Sequence, residues 1–114
     1  MQRYKRIDRV SELMGREISV IIDRELRDTR LAMVTVTGVD VSKDLRSARI
    51  FVSVLGGEEE TKLSIEALNN ASQFIRARLG ERITLKHIPH LTFYFDSSTV
   101  DGMKMDRILD NLNS

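Results

Sequence analysis

The segment EALNNASQFIRARLGERI, residues 66–83, decides how the chain folds. Apolar residues recur at helical spacing on both sides of its middle: Leu63, Ala67 and Leu68 before it, and Phe74, Ile75 and Leu79 after it. In the middle, Asn and Ser side chains can hydrogen-bond to nearby backbone and so compete with a helix. We predict two helices with a break in helical hydrogen bonding between Asn69 and Gln73, and with Ser72 as the N-cap of the second helix. The alternative is one continuous helix with a polar belt, because Ala and Gln favour helix.

The chain before this segment predicts a long helix and a hairpin. Apolar residues spaced three and four apart indicate an amphipathic helix over residues 6–26. Alternating patterns predict strands over residues 31–41 and 46–55, which should pair as an antiparallel hairpin. The apolar phase of the first strand slips by one residue at Gly38, which is typical of a β-bulge. In the second strand, Ala48, Ile50, Val52 and Val54 should face inward, and the opposite face should be wet.

A third strand and a short helix complete the predicted order. Carboxylates at positions 58–60 indicate the start of the helix that leads into the kink. Residues 91–96 alternate cleanly after Pro89 and predict the third strand, and residues 100–112 predict a terminal amphipathic helix. Helix, strand, strand, helix, helix, strand and terminal helix make a two-layer α+β domain, with a three-stranded sheet packed on helices.

The third strand has two faces with different predicted roles. Leu91, Phe93 and Phe95 share one face and should pack on the first helix, around the apolar stripe that contains Met14, Ile18 and Ile22. Thr92 and Tyr94 then face solvent or a partner. The alternative is that Phe93 stacks on a nucleic-acid base, but an alternating strand after a proline is more typical of a core.

Length and composition limit the class of protein. A chain of 114 residues has the size of one domain, so we expect residues 1–114 to form a single domain. Cysteine is absent, which suits a reducing compartment. The N-terminus lacks the apolar region of a signal peptide, and no apolar run approaches the length of a membrane span. We therefore expect a cytoplasmic protein.

The net charge of +1 hides two basic segments. Residues 1–10 carry four basic side chains against one acidic side chain, and so do residues 74–87. Two basic segments on a nearly neutral chain favour a local contact with a polyanion. Ordinary solvated surface is the alternative, because Arg and Lys side chains are mostly exposed in any protein.

The kink and the second basic segment together suggest how a polyanion would bind. A kink exposes the N-terminal amides of the second helix, which favour an anion such as phosphate. Arg76 and Arg78 follow at once, and Arg82 and Lys86 extend the positive strip. Aromatic residues make up only 5% of the chain, so recognition of shape and phosphate is favoured over stacking on bases.

Catalytic and metal chemistry have little support in the sequence. No nucleophile constellation and no glycine-rich phosphate loop is present. His87, His90 and Asp96 raise the possibility of a small His/Asp enzyme or a metal site. However, Pro89 keeps the two histidines off a common helix face, and no third strong ligand is near in sequence. We expect no enzyme activity, no cofactor and no metal.

Four stretches of the chain resemble the bacterial ribosome-binding factor A family. These stretches are RIDRV at 6–10, SKDLRSAR at 42–49, FIR at 74–76 and, most specifically, IPHLTFYFDSSTVDGMKMDRIL at 88–109. The order of predicted elements also resembles a type II KH domain. The family replaces the KH loop GxxG with an Ala-x-Gly kink, and the matching positions here read Ala71-Ser72-Gln73, so Gln73 departs from the glycine.

The resemblance implies a non-catalytic factor that binds the small (30S) ribosomal subunit during late maturation. It implies contact with 16S rRNA, support of 5′-end processing, a role in growth in the cold, and a monomer when free in solution. Together with the basic segments, it gives the following candidate RNA-binding residues: Arg3, Lys5, Arg6, Arg9, Lys43, Arg46, Asn70, Ala71, Ser72, Gln73, Arg76, Arg78, Arg82 and Lys86.

A second function class remains open beside RNA binding. A KH-like module can retain a vestigial RNA surface and bind proteins through the exposed face of its sheet. Sedimentation of cell extract discriminates the two functions, because a complex held by phosphate contacts dissociates with salt and a protein-only complex does not.

Overall fold

The computed structural model describes residues 2–26, 31 and 33–97, with side chains from residue 6 onward. Its elements are α1 (Gln2–Arg24), β1 (Val34–Val41), β2 (Ser47–Val54), α2 (Glu58–Asn70), α3 (Ser72–Arg82) and β3 (His90–Phe95). The predicted α+β class and the predicted order of these six elements are confirmed. The helix predicted over residues 100–112 lies outside the described residues.

The three strands form one sheet in the order β1-β2-β3. β1 pairs with β2 antiparallel, which confirms the hairpin, and β3 pairs with β2 parallel. The register of β1 on β2 shifts between Val36 and Gly38, so the predicted bulge is confirmed. The shift keeps Val36 and Val39 on the inner face, because it absorbs the one-residue slip in the apolar pattern.

The helices cover one face of the sheet and enclose the core. Fully buried side chains from every layer meet there: Met14, Ile18 and Ile21 of α1, Ile50 and Val52 of β2, Leu68 of α2, Ile75 and Leu79 of α3, and Phe93 of β3. Gly15 allows α1 to approach β1 closely, because a Cβ at this position would lie 3.3 Å from a methyl group of Val39. The apolar stripes of the sequence therefore identify the helix faces that pack on the sheet.

The inner face of β3 is largely as predicted. Leu91 and Phe93 are buried in the same cluster as Met14, Ile18 and Ile22. Phe95 differs, because it is half-buried and lines a groove beside α2 instead of joining that cluster.

The opposite face of the sheet is only partly wet. Ser47 and Thr92 are exposed there, as expected. Phe51 also lies on this face, yet it is buried, with its ring centroid 5.9 Å from that of Tyr94. The expectation of a wet face is therefore wrong at Phe51, because the two rings shield one another across β2 and β3.

The interruption between α2 and α3 is one residue long. α2 ends at Asn70, α3 begins at Ser72, and Ala71 between them has φ −93° and ψ 5°. The prediction of two helices is confirmed, and the alternative of one continuous helix is wrong. Ser72 is not the N-cap of α3. Ala71 serves as the C-cap of α2 and the N-cap of α3 at once, which leaves no room for a separate capping residue.

Candidate nucleic-acid interface

The kink presents a small polar surface. Asn70 and Gln73 are exposed on either side of it, while Ala71 and Ser72 are half-buried. The amide of Ala71 is satisfied within the helix, by the carbonyls of Ala67 at 3.0 Å and Leu68 at 3.1 Å. Only the first amides of α3 therefore remain available to an anion, and the positive end of that helix adds to their attraction.

A shallow groove of about 340 Å³ runs from the kink toward the start of β3. Its walls are Gln73, Arg76, Ala77 and Gly80 of α3 and Lys86, His87 and Ile88 of the following segment. Lys86 and His87 are exposed at its rim. The groove joins the kink to part of the second basic segment.

Arg76 is half-buried and is used inside the protein. Its Nε and Nη2 atoms both donate hydrogen bonds to the carbonyl oxygen of Ile88, at 2.9 Å and 2.7 Å. These bonds fix the guanidinium along the wall of the groove. Three of the five N–H donors of the guanidinium, two on Nη1 and one on Nη2, are left to face an anion.

Arg78 and Arg82 face carboxylates on α1 and just after its end. Arg78 lies 3.3 Å from Glu25 and 3.1 Å from Glu81, and Arg82 lies 3.5 Å from Glu17 and 3.9 Å from Glu25. The Arg78 guanidinium also stacks 5.4 Å from the ring centre of Phe74. The positive strip predicted along α3 is thus partly neutralised by Glu17 and Glu25. The charge count of residues 74–87 could not show this, because it includes Glu81 but neither of these two carboxylates.

A second group of basic residues gathers at one end of the molecule. α3 runs antiparallel to α1, because Arg78 pairs with Glu25 and Arg82, one turn later, pairs with Glu17. The segment after α3, with Lys86, therefore continues toward the N-terminal half of α1, which carries Arg6 and Arg9. The backbone of Arg46 accepts a hydrogen bond of 2.9 Å from His90, which brings the β1–β2 turn, with Lys43, to the same end.

We call this group the basic end: Arg6, Arg9, Lys43, Arg46 and Lys86. All five side chains are exposed. None of them forms a salt bridge with a carboxylate in the part of the chain that the structure describes. Their charges are consequently directed to solvent, in contrast to those of Arg78 and Arg82. Arg3 and Lys5 belong to the same end of α1 by position, but their side chains lie outside those described.

The β1–β2 turn is shaped by a small hydrogen-bond network. Asp44 accepts bonds from the Ser42 hydroxyl at 2.7 Å and from the Arg46 amide at 3.1 Å, and these bonds lower the pKa of the Asp44 carboxyl. The Ser42 oxygen accepts in turn from the Ser47 amide at 3.1 Å. Leu45 adopts a left-handed φ of 61°. The turn is therefore held from within, with Lys43 and Arg46 projecting outward.

Metal-ligand clusters and membrane-spanning helices are both absent from the described ranges. No group of three His, Cys, Asp or Glu side chains that could hold a metal occurs among those residues. No described helix is long and apolar enough to cross a membrane. His87 lines the groove and His90 opens β3, and both are exposed.

Comparison with known proteins places the chain. The family model described as ribosome-binding factor A matches residues 6–109. Ribosome-binding factor A from Brevibacillus brevis is 42% identical over 109 residues, which cover 96% of this chain and 90% of that protein.

Two solved structures share the fold. The crystal structure of ribosome-binding factor A from Thermus thermophilus superposes with a TM-score of 0.70 at 27% identity, covering 78% of this chain and 93% of that one. A homology model of the Thermus thermophilus factor, fitted into the cryo-EM map of its 30S complex, gives a TM-score of 0.65 at 27% identity, covering 77% and 92%. From the family match and these likenesses together, the chain belongs to the ribosome-binding factor A family.

Proposed function

We propose that this protein binds the small ribosomal subunit in the cytoplasm and assists its late maturation, as a monomer that contacts 16S rRNA. The observation that carries the proposal is the basic end, whose five exposed cations come from α1, the β1–β2 turn and the Lys86 segment. On a chain whose net charge is only +1, such a patch favours a local contact with a polyanion. The 30S complex of the Thermus thermophilus factor supports the same partner.

The kink and its groove supply a second contact in this proposal. Asn70 and Gln73 are exposed at the kink and Lys86 at the rim of the groove, and the first amides of α3 have no partner within that helix. The groove is lined by no Phe, Tyr or Trp side chain on which a base could stack. Contact there is made with phosphate and ribose, so binding follows the shape of the rRNA. Support of 5′-end processing and of growth in the cold then follows from helping that rRNA reach its mature form.

The test is a salt titration of binding to purified small subunits. Lys43→Gln with Lys86→Gln removes two charges of the basic end without touching the core. We expect weaker binding and a shallower log–log salt slope, by about 0.7–0.9 for each phosphate that is no longer neutralised. Lys62→Gln is the matched control, because Lys62 is an exposed lysine on α2, outside the basic end.

Two results would overturn this proposal. One is an unchanged affinity and salt slope in the double variant. The other is a complex that resists both salt and ribonuclease, which would instead support a protein-binding module.

A further inference from the structure

The carboxamide of Asn69 binds the backbone of β3 in the way a neighbouring strand would. Asn69 Oδ1 accepts a hydrogen bond of 2.8 Å from the amide of Phe93, and Asn69 Nδ2 donates one of 3.0 Å to the carbonyl of the same residue. Both backbone groups of Phe93 are therefore satisfied by one side chain. Asn69 stands two residues before Ala71, at the end of α2.

These bonds lie on the free edge of the sheet. The amides of His90 and Asp96 donate to β2, at Arg46 and Val52, so alternate residues of β3 point toward that strand. Phe93 lies at an odd position between them, so its amide and carbonyl are directed away from β2, toward the free edge. An unpaired edge of this kind invites another strand, and Asn69 closes it at its centre.

Arg76 makes the equivalent attachment on the other side of the kink. Its two bonds to the Ile88 carbonyl tie α3 to the segment that enters β3. The two helices are thus each fastened to the β3 chain by one side chain, at Phe93 for α2 and at Ile88 for α3. The kink at Ala71 lies between Asn69 and Arg76 in sequence, so it is held from both sides.

We propose that Asn69 and Arg76 are positioning residues, which set the angle of the kink and so the placement of Asn70 and Gln73 against rRNA. This role explains how the chain keeps a kink although Gln73 stands where the family has glycine. The bend is imposed by attachments to the sheet, so it does not require a residue of special backbone freedom. The inference rests on the proposed function for its effect on binding.

The role differs from a phosphate contact in a measurable way. A residue that neutralises a phosphate contributes to the salt slope, whereas a residue that positions others contributes only to the affinity. Asn69 carries no charge. Arg76→Lys keeps the positive charge, but the lysine ammonium lacks the planar guanidinium whose two N–H groups bind one carbonyl oxygen.

The experiment measures small-subunit affinity, salt slope and amide hydrogen exchange of the free protein for Asn69→Ala and Arg76→Lys. We expect faster exchange at Phe93 in Asn69→Ala, by roughly two- to tenfold for each hydrogen bond removed. Both variants should bind more weakly with the slope unchanged, and resonances of residues 70–73 should shift. Thr92→Val is the control, because Thr92 is exposed beside Phe93 and takes no part in the attachment.

Three outcomes overturn the proposal. Full affinity in Asn69→Ala, with faster exchange at Phe93, means that the attachment serves stability alone. Full affinity in Arg76→Lys means that Arg76 acts through its charge. Unchanged exchange at Phe93 means that the Asn69 bonds do not form.

Two further measures keep the test decisive. If Asn69→Ala fails to fold, Asn69→Leu takes its place, because leucine is uncharged, similar in size and unable to form either hydrogen bond. Should the wild type not bind small subunits, the proposed function fails, while exchange and resonance shifts still decide whether Asn69 and Arg76 set the kink.

Discussion

At the scale of single residues, Phe93 carries two separate roles. Its ring is almost fully buried, at 1% exposure, in the cluster shared with α1, and its backbone is held by Asn69. The alternative that the ring stacks on a base is wrong, because a side chain at the centre of the core has no surface to offer. A strand residue thus contributes to the core through its side chain and to the kink through its backbone.

The faces of β3 can be tested by substitution. We expect Phe93→Ala to lower the free energy of unfolding by about 3–5 kcal/mol, because it leaves a large cavity. Tyr94→Ala should cost less, since Tyr94 is half-exposed and its contact with Phe51 adds roughly 0.5–1.5 kcal/mol to its burial. Urea unfolding measures both. A larger loss in Tyr94→Ala than in Phe93→Ala would mean that the opposite face of the sheet is the main core.

At the scale of elements, the β1–β2 turn shows how a local network orients binding residues. Asp44 collects bonds from Ser42 and Arg46, and its carboxyl therefore has a pKa below its ordinary value of 3.8. A group whose pKa is lower in the folded state stabilises the protein at pH values above its unfolded pKa. That contribution is lost as the pH falls through the lower, folded value.

The sign of this effect gives a prediction for Asp44→Ala. We expect a lower free energy of unfolding at neutral pH, and a difference from the wild type that shrinks as the pH falls below about 4. Asp44→Asn is the control, because its amide oxygen still accepts but does not titrate, so its difference should be smaller at neutral pH. Denaturant unfolding at several pH values measures this. A difference that grows toward acid would contradict the assignment.

At the scale of the whole molecule, charge is divided between paired and unpaired sites. Arg78 and Arg82 of α3 face Glu25 and Glu17, whereas the basic end projects five cations to solvent. Glu58, Glu59 and Glu60 begin α2 just after β2 ends, at the other end of the sheet. The described part of the molecule is therefore polarised along its strands, and such a distribution orients it toward a polyanion on approach.

The division of charge predicts unequal effects on binding. Arg78→Ala with Arg82→Ala should flatten the salt slope less than Lys43→Gln with Lys86→Gln does, because the former pair is already partly neutralised. It should also lower the free energy of unfolding by up to about 1 kcal/mol for each ion pair removed, as is usual for partly exposed pairs. Salt titration and urea unfolding of both double variants decide this. If the salt slope flattens more in the arginine variant, the main phosphate contact is on α3 and not at the basic end.

The sequence by itself determined the order of elements and the position of the kink. Helical spacing, strand alternation and the slip at Gly38 are local signals, set by side-chain period and backbone preference over a few residues. The Asn-Asn-Ala-Ser run predicted the kink because its side chains compete locally with helical hydrogen bonds. The resemblance of residues 88–109 to one family could also be recognised from the sequence alone, because that run is long and irregular.

Only the tertiary structure decided which charges are available and what holds the kink. Glu25 and Glu17, which pair with Arg78 and Arg82, are distant from them in sequence. The partners of Asn69 and Arg76 lie on β3 and just before it. A hydrogen bond or ion pair depends on the distance between two atoms within a few ångströms, and no local pattern encodes that distance. The arginine-rich strip therefore looked like a phosphate site in the sequence, while in the folded chain much of it fastens helix to helix and helix to sheet.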